Sequence, residues 1–173
     1  MADILHKLVG GDRRSIGRVD EVVADVLTDP DLFDSLFYGM LADDPIIRMR
    51  AADAIEKITA RQPEYLQPYK TRLIEQVATI DQQEVRWHVA QMLPRLDVTP
   101  AEQAVIVEIL RSYLGDRSKI VKTFAMQALA DLAERDAGLR PEITALLKEL
   151  TATGSPAMQS RGRKLLARLK KSS

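Results

Sequence analysis

Cysteine is absent from this chain of 173 residues, and histidine occurs only twice. The absence of cysteine excludes disulfide bonds, thiolate metal sites and cysteine nucleophiles, and it is typical of proteins of a reducing cytoplasm. No apolar run approaches the roughly 18 residues that a membrane-spanning helix needs. The first residues also lack the apolar segment of a secretory signal. We therefore expect a cytoplasmic protein with no membrane partner.

Sequence motifs of the common catalytic classes are missing as well. The chain contains no HExxH, CxxC, GxSxG or P-loop pattern. The glycines of "LVGGDRRSIGRVDE" fit no phosphate-binding spacing, so this segment is interpreted as a loop before a helix. Its Arg13, Arg14 and Arg18 are candidates for binding an anion. We expect a protein that is not an enzyme and that has no cofactor and no metal site.

Charge is balanced overall but unevenly distributed. Residues 1–41 hold four basic and eight acidic residues, whereas residues 151–173 hold six basic residues and no acidic one. Such asymmetry can steer a partner or drive head-to-tail self-association. The simpler interpretation is a solvated surface that ends in a basic helix, whose cations favour the helix C-terminus.

Apolar and small residues recur at one helical spacing in four places. Offsets of 0, 4, 7, 8 and 11 residues from Ile47 place five side chains on one face of an α-helix. The same offsets fit from Val85, Val121 and Met158, so the starting points are 38, 36 and 37 residues apart. A period of this length indicates stacked helical units, because one hairpin cannot bury its apolar face alone.

A second helical segment precedes each of these four helices, so each unit consists of an A helix, a tight turn and a B helix. Thr99 and Glu102 predict a capping box at the start of the third A helix. Pro94 lies inside the second B helix and should kink or end it, because proline has no N–H to donate. No strand pattern is present.

The turns and the starts of the B helices resemble the HEAT repeat family. The clearest unit is "DDPIIRMRAADAIEKI", in which an Asp of the turn precedes a basic residue beside the first core position. The fourth unit departs from the pattern, with Gln159 at the basic position and no Asp in its turn. The residues that carry the pattern, and that are expected to form a structural ladder between turns and helices, are Asp44, Arg48, Asp81, Arg86, Asp116 and Lys122.

This resemblance implies an all-α fold, namely a right-handed α-solenoid of about four HEAT-like helical hairpins with an N-terminal capping helix. It predicts one domain over residues 1–173. The predicted parts are a capping segment at 1–29 with a helix over 15–28, and repeats at about 30–61, 63–97, 99–135 and 138–171. In such a fold the B helices line the concave side.

The faces of the B helices opposite their core residues are the candidate binding surface. Trp87 is the only tryptophan, and the helical period places it and Met49 outside the local core. Trp and Arg are the commonest residues at interface hot spots. The alternative is that Trp87 packs between B helices as an ordinary spacer. The predicted partner-binding residues are Met49, Arg50, Trp87, His88, Gln91, Arg161 and Lys164.

The leading hypothesis is therefore a non-catalytic scaffold or adaptor that binds a protein or peptide. The alternative is nucleic-acid binding through a basic stripe, since some HEAT-like proteins are DNA alkylation-repair glycosylases. Zero net charge and few aromatic residues weigh against that alternative. The stripe would comprise Arg48, Arg50, Arg86, Lys119, Lys122, Arg161, Arg163 and Lys164.

Overall fold

The computed structural model describes residues 3–173, and every regular element in that range is helical. The all-α class is therefore confirmed for the described part of the chain. The α-helices are α1 (Val19–Thr28), α2 (Phe33–Gly39), α3 (Pro45–Arg61), α4 (Lys70–Glu75), α5 (Gln83–Met92), α6 (Pro100–Tyr113), α7 (Lys119–Arg135), α8 (Arg140–Thr153) and α9 (Pro156–Lys171). Short 3-10 helices cover Ile4–Leu8, Pro30–Leu32, Pro63–Tyr69, Val77–Thr79 and Leu93–Arg95.

The chain divides into two compact units, Met1–Asp97 and Val98–Ser173. The division falls between the second and third predicted repeats. The prediction of a single domain with four repeats stays a prediction.

The periodic pattern correctly located the B helices and their buried faces. These helices are α3, α5, α7 and α9, and all but two of the periodic positions are buried, the exceptions being the half-buried Ile47 and Leu166. Three of these helices begin at a capping side chain, whereas α5 has no side-chain cap. The Asp44 side chain accepts a hydrogen bond from the Ile46 N–H, and Ser118 and Ser155 cap α7 and α9 in the same way.

In the first unit, α3 is the central helix and packs against α1, α2 and α5. The scarce aromatic residues are concentrated beside it. The rings of Phe33 and Tyr65 have centroids 5.6 Å apart, and those of Phe37 and Tyr69 are stacked at 4.5 Å. Aromatic pairs of this kind contribute about 0.5–1.5 kcal/mol each beyond their area burial. They join the A-helix segments of two successive hairpins.

In the second unit, α9 packs against both α7 and α8, and α6 packs against α7. The approach of α8 to α9 depends on Gly162, because a Cβ there would lie 3.0 Å from the Thr151 Cβ and would overlap the Thr151 hydroxyl. Arg168 of α9 forms ion pairs with Asp131 and Glu134 of α7. The predicted capping box is present, with both reciprocal hydrogen bonds between Thr99 and Glu102.

Glycine or proline altered two local expectations, and a third expectation, based on Pro94, was confirmed. The capping helix predicted over 15–28 begins only at Val19, because residue 17 is a glycine with φ of +60°. The A helix of the second hairpin is broken into 3-10 and α segments around Pro68, which lacks the N–H needed for a continuous α-helix. As predicted from Pro94, α5 ends at Met92 and continues as a short 3-10 turn.

Within residues 3–173 no helix combines the length and the apolar character needed to cross a bilayer.

Candidate functional site

A pocket of about 160 Å³ lies in the first unit between α3, α5 and the loop that precedes α1. Four of the seven predicted partner-binding residues line it. The lining residues are Arg13, Arg14, Ser15 and Ile16 of the loop, Met49, Arg50 and Asp53 of α3, and Glu84, Trp87 and His88 of α5. The two B helices therefore do bring these outward-facing side chains together.

The aromatic wall of the pocket is Trp87, which is half-buried. The neighbouring His88 ring meets it at an angle of 61°, with 5.8 Å between the ring centroids. Met49 contributes a thioether side chain, but it is only 8% exposed, so the expectation that it lies outside the core is wrong. The loop covers it. Trp87 is thus the main exposed apolar surface that α5 contributes here.

Arg50 does not have the free guanidinium that its position on the helix predicts. It is 2% exposed, and it donates hydrogen bonds to the carbonyl oxygens of Leu8 at 2.8 Å, Gly10 at 2.6 Å and Ser15 at 3.1 Å. Longer contacts reach the carbonyls of Val9 and Asp12. Arg50 therefore holds the loop in place and is not available to a partner, which corrects its assignment as a binding residue.

The loop can follow this path because of its glycines. Gly11 and Gly17 adopt φ of +77° and +60°, a region that favours glycine. A Cβ on either residue would lie within about 3.1 Å of the Arg50 guanidinium. The loop glycines and Arg50 therefore act together to close one side of the pocket.

The floor of the pocket carries a buried carboxylate. The Glu84 side chain is 8% exposed, its Oε1 lies 3.9 Å from Arg13 Nη1, and its Oε2 is buried with no hydrogen-bond partner among the described residues. Buried charges in proteins are ordinarily paired and hydrogen-bonded. Glu84 was not among the predicted site residues. The corresponding positions in the neighbouring B helices are Ile46 and Ile120, and neither is buried.

A second carboxylate and an imidazole lie beside Glu84. The Asp53 Oδ1 is 3.9 Å from His88 Nε2, and its Oδ2 is 3.5 Å from the Lys57 ammonium. Burial raises the pKa of the Asp53 carboxyl, although Lys57 acts in the opposite direction. Burial lowers the pKa of His88 to about 4, so the imidazole is neutral at pH 7. His88 Nδ1 is also buried without a hydrogen-bond partner among the described residues.

The remaining predicted binding residues lie elsewhere. Gln91 follows Trp87 on α5 and donates a hydrogen bond to the Trp87 carbonyl at 3.1 Å. Arg161 and Lys164 belong to α9 of the second unit. There Arg161 donates to the Gln127 side chain at 2.9 Å, whereas Lys164 is exposed. These three residues do not line the pocket.

The ladder residues of the first unit tie turn to helix, but mainly through partners other than Asp. Arg48 donates to the carbonyls of Ala42 and Asp43 at 2.9 and 3.0 Å and to the Gln82 side chain at 2.9 Å. Gln82 in turn donates to the Pro45 carbonyl at 2.9 Å, which connects successive hairpins. The expected Asp-to-Arg contact is present between Asp81 and Arg86 at 3.5 Å.

In the second unit the ladder positions are Asp116 and Lys122. The Asp116 side chain accepts a hydrogen bond from the Ser118 N–H at 2.7 Å, and Lys122 is half-buried. Asp44 likewise caps its own helix, as described above. Asp44 and Asp116 thus bind the backbone at the start of the following helix, whereas Asp81 contacts Arg86.

A larger, open hollow of about 510 Å³ lies between α8 and α9 in the second unit. It is lined mainly by aliphatic side chains, together with Lys148 and Lys170. None of its lining residues is a buried polar group without a partner. The smaller pocket beside Trp87 is therefore the better candidate site, because it combines an aromatic wall with buried charge. Within residues 3–173 no three His, Asp or Glu side chains are placed to hold a metal ion.

No family model matches the chain, and no curated protein matches it either. Among solved structures, the chain is similar to the crystal structure of an engineered protein from the Northeast Structural Genomics Consortium. The TM-score is 0.67 at 16% sequence identity, and the match covers 98% of this chain and 79% of the other. At this identity the similarity concerns the helical fold.

Proposed function

We propose that this chain is a non-catalytic scaffold of the HEAT type, a right-handed α-solenoid that binds a peptide segment of a partner protein. The observation that carries the proposal is the pocket beside Trp87, where a half-buried tryptophan lies next to buried polar atoms that have no hydrogen-bond partner among the described residues. Binding sites combine an apolar wall with a few convergent polar groups in this way. Interface energy is concentrated at such aromatic anchors.

The regular spacing of the B helices supports the repeat part of the proposal. Four B helices recur at 36–38 residues, and the clearest turn resembles that of HEAT units. Repeat proteins of this type present extended surfaces on which a partner segment can bind. The fourth hairpin, which lacks the turn Asp, would then be a terminal repeat with an atypical sequence.

Selection of random displayed peptides on the purified protein tests the proposal. We expect enriched peptides whose affinity falls at least about tenfold with Trp87→Ala, as for an aromatic hot spot. The matched control is Ile120→Ala, which removes an exposed apolar side chain from the other unit and should leave affinity unchanged. Enrichment of no peptide, or full affinity in a folded Trp87→Ala variant, would refute the proposal.

Nucleic-acid binding is a second candidate, which is supported by the exposed cations of α9. Residues 151–173 contain no acidic side chain, and Arg163, Lys164, Lys170 and Lys171 are all exposed. Arg48, Arg50 and Arg86 of the predicted stripe instead use their guanidinium groups within the first unit. Titration of a duplex and a single-stranded oligonucleotide at two salt concentrations tests this candidate. A steep fall in affinity with salt supports it, and absence of binding at low salt removes it.

A further inference from the structure

The unpaired oxygen of Glu84 indicates what kind of group the pocket accommodates. A carboxylate that is 8% exposed loses most of its hydration, and the desolvation is compensated only by a cation or several hydrogen-bond donors. Oε2 has no hydrogen-bond donor among the described residues, and Glu84 lines the pocket. A donor that enters through the pocket would supply the missing hydrogen bond.

Glu84 forms an ion pair with a residue of the loop that lines the pocket. Its Oε1 lies 3.9 Å from Arg13 Nη1, which is beyond hydrogen-bonding distance. The Arg13 side chain is 55% exposed, so it is held loosely at the mouth. Arg50, which is fully engaged with loop carbonyls, fixes the backbone on both sides of Arg13. The loop thus places the Arg13 guanidinium, which a ligand can displace, beside the buried carboxylate of Glu84.

The walls of the pocket suit the rest of a long basic side chain. Trp87 offers an aromatic face, and cations bound over such faces gain about 0.5–2 kcal/mol. Ile16 and Met49 offer apolar surface for methylene groups, which Lys and Arg commonly bury while their charged head is paired. Asp53 places a second carboxylate on the same floor. His88, which is neutral at pH 7, adds no opposing charge.

We propose that this pocket binds an Arg or Lys side chain of a partner peptide against Glu84 and Asp53, and that Arg13 occupies the mouth until the peptide displaces it. The inference rests on the proposed function and specifies its ligand. The volume of about 160 Å³ agrees with one side chain, because pockets for whole small-molecule ligands measure about 300–1,000 Å³.

The test uses the peptide obtained from the selection described above and its citrulline analogue. Citrulline has nearly the shape of arginine but no charge, so exchanging it at the basic position isolates the ion pair. We expect the exchange to weaken binding at least about tenfold with the wild-type protein and less than about threefold with Glu84→Gln. Binding is followed by the fluorescence of Trp87, the only tryptophan. A selected lysine is exchanged for norleucine in the same way.

A second pair of variants tests the role of Arg13. Arg13→Ser removes the competing guanidinium, and we expect the peptide to bind about three to ten times more tightly. Arg18→Ser is the matched control, because Arg18 is similarly exposed at 53% and does not line the pocket, so its loss should change affinity much less. Equal effects of the two variants would overturn the displacement by Arg13, because only general repulsion would then be acting.

The outcomes separate this inference from the function on which it rests. If selected peptides depend on Trp87 but contain no preferred Arg or Lys, the peptide-binding function holds and the basic-side-chain inference is wrong. If citrulline exchange has no effect on the wild-type protein, the inference is wrong even when Glu84→Gln does not fold. If no peptide is enriched, both fail. Enriched peptides that carry acidic residues at the anchor position would likewise show that the basic-side-chain inference is wrong.

Discussion

Replacing Arg50 by alanine removes the contact that joins the loop to α3. Three of its hydrogen bonds to loop carbonyls are 3.1 Å or shorter, and the side chain is only 2% exposed. A hydrogen bond from a charged donor contributes about 1.5–3 kcal/mol, but bonds from one side chain are not additive. We expect Arg50→Ala to lower the free energy of unfolding of the first unit by about 3–5 kcal/mol, as for other broken buried charge networks.

Urea unfolding measures this loss selectively. Trp87 is the only tryptophan and lies in the first unit, so its fluorescence reports that unit, whereas far-UV circular dichroism reports all the helices. With a slope of about 1–3 kcal/mol per molar urea, the fluorescence midpoint should fall by at least about 1 M. Arg50→Lys retains the charge but lacks the planar set of N–H donors of a guanidinium group. It should therefore recover only part of the lost free energy of unfolding.

A control variant and a proteolysis assay test the same role of Arg50. Arg61→Ala is the matched control, because Arg61 is exposed on the last turn of the same helix and should cost no more than about 1 kcal/mol. Trypsin cleavage after Arg13 and Arg14 should be faster in Arg50→Ala, since the loop is no longer held. An Arg50→Ala variant with the wild-type fluorescence midpoint and the wild-type cleavage rate would falsify the assignment of Arg50 as the residue that fixes the loop.

Three other predictions concern single side chains. His88 has a pKa of about 4 in the folded protein, against 6.5 ordinarily. Between these pH values only the unfolded chain binds the proton. The free energy of unfolding should therefore fall by up to about 3 kcal/mol as the pH drops through that window. Gly162→Ala should destabilise the second unit by about 1–3 kcal/mol, because its methyl group overlaps Thr151. Thr99→Ala should cost about 1 kcal/mol through loss of the capping box with Glu102. Urea unfolding checks each prediction, and for His88 it is repeated at several pH values between 6.5 and about 4.

Each of these predictions has a matched comparison. In His88→Gln the free energy of unfolding should fall less steeply with decreasing pH than in the wild type, although Asp53, Glu56, Lys57 and Glu84 still surround the site. An unchanged dependence on pH would contradict a buried neutral His88. The double variant Gly162→Ala, Thr151→Ala should regain part of the loss, since the hydroxyl is then gone. Wild-type stability of Thr99→Ala would mean that solvent replaces the cap fully.

The helices of this protein were predictable because their buried faces follow a local rule. The offsets from Val85 and Val121 select side chains that are all buried, and the helix that contains Val121 begins at a capping residue, Ser118. Where the prediction was less accurate, proline or glycine was the cause. Pro68 breaks an A helix, and Gly17 delays the start of α1.

The pocket was only half predictable. Helical periodicity identified Trp87 and His88 on the face that points away from the core of their own helix, and the repeat placed Met49 beside them. It could not identify Glu84, because no feature of its position in the repeat distinguishes it from the exposed Ile120. Glu84 is buried because α5 packs against α3 while the loop before α1 covers this face.

The sequence by itself determined the all-helical class, the positions of the four B helices and the side chains that form their cores, because these depend on residues within a few turns of one another. Only the tertiary structure decided which outward-facing residues remain accessible. The path of residues 9–17 is set by contacts between Arg50 and carbonyls about 35–42 positions away, and helical periodicity carries no information about such contacts. That path buries Arg50 and Met49, leaves Trp87 half-open, and brings Arg13 to Glu84.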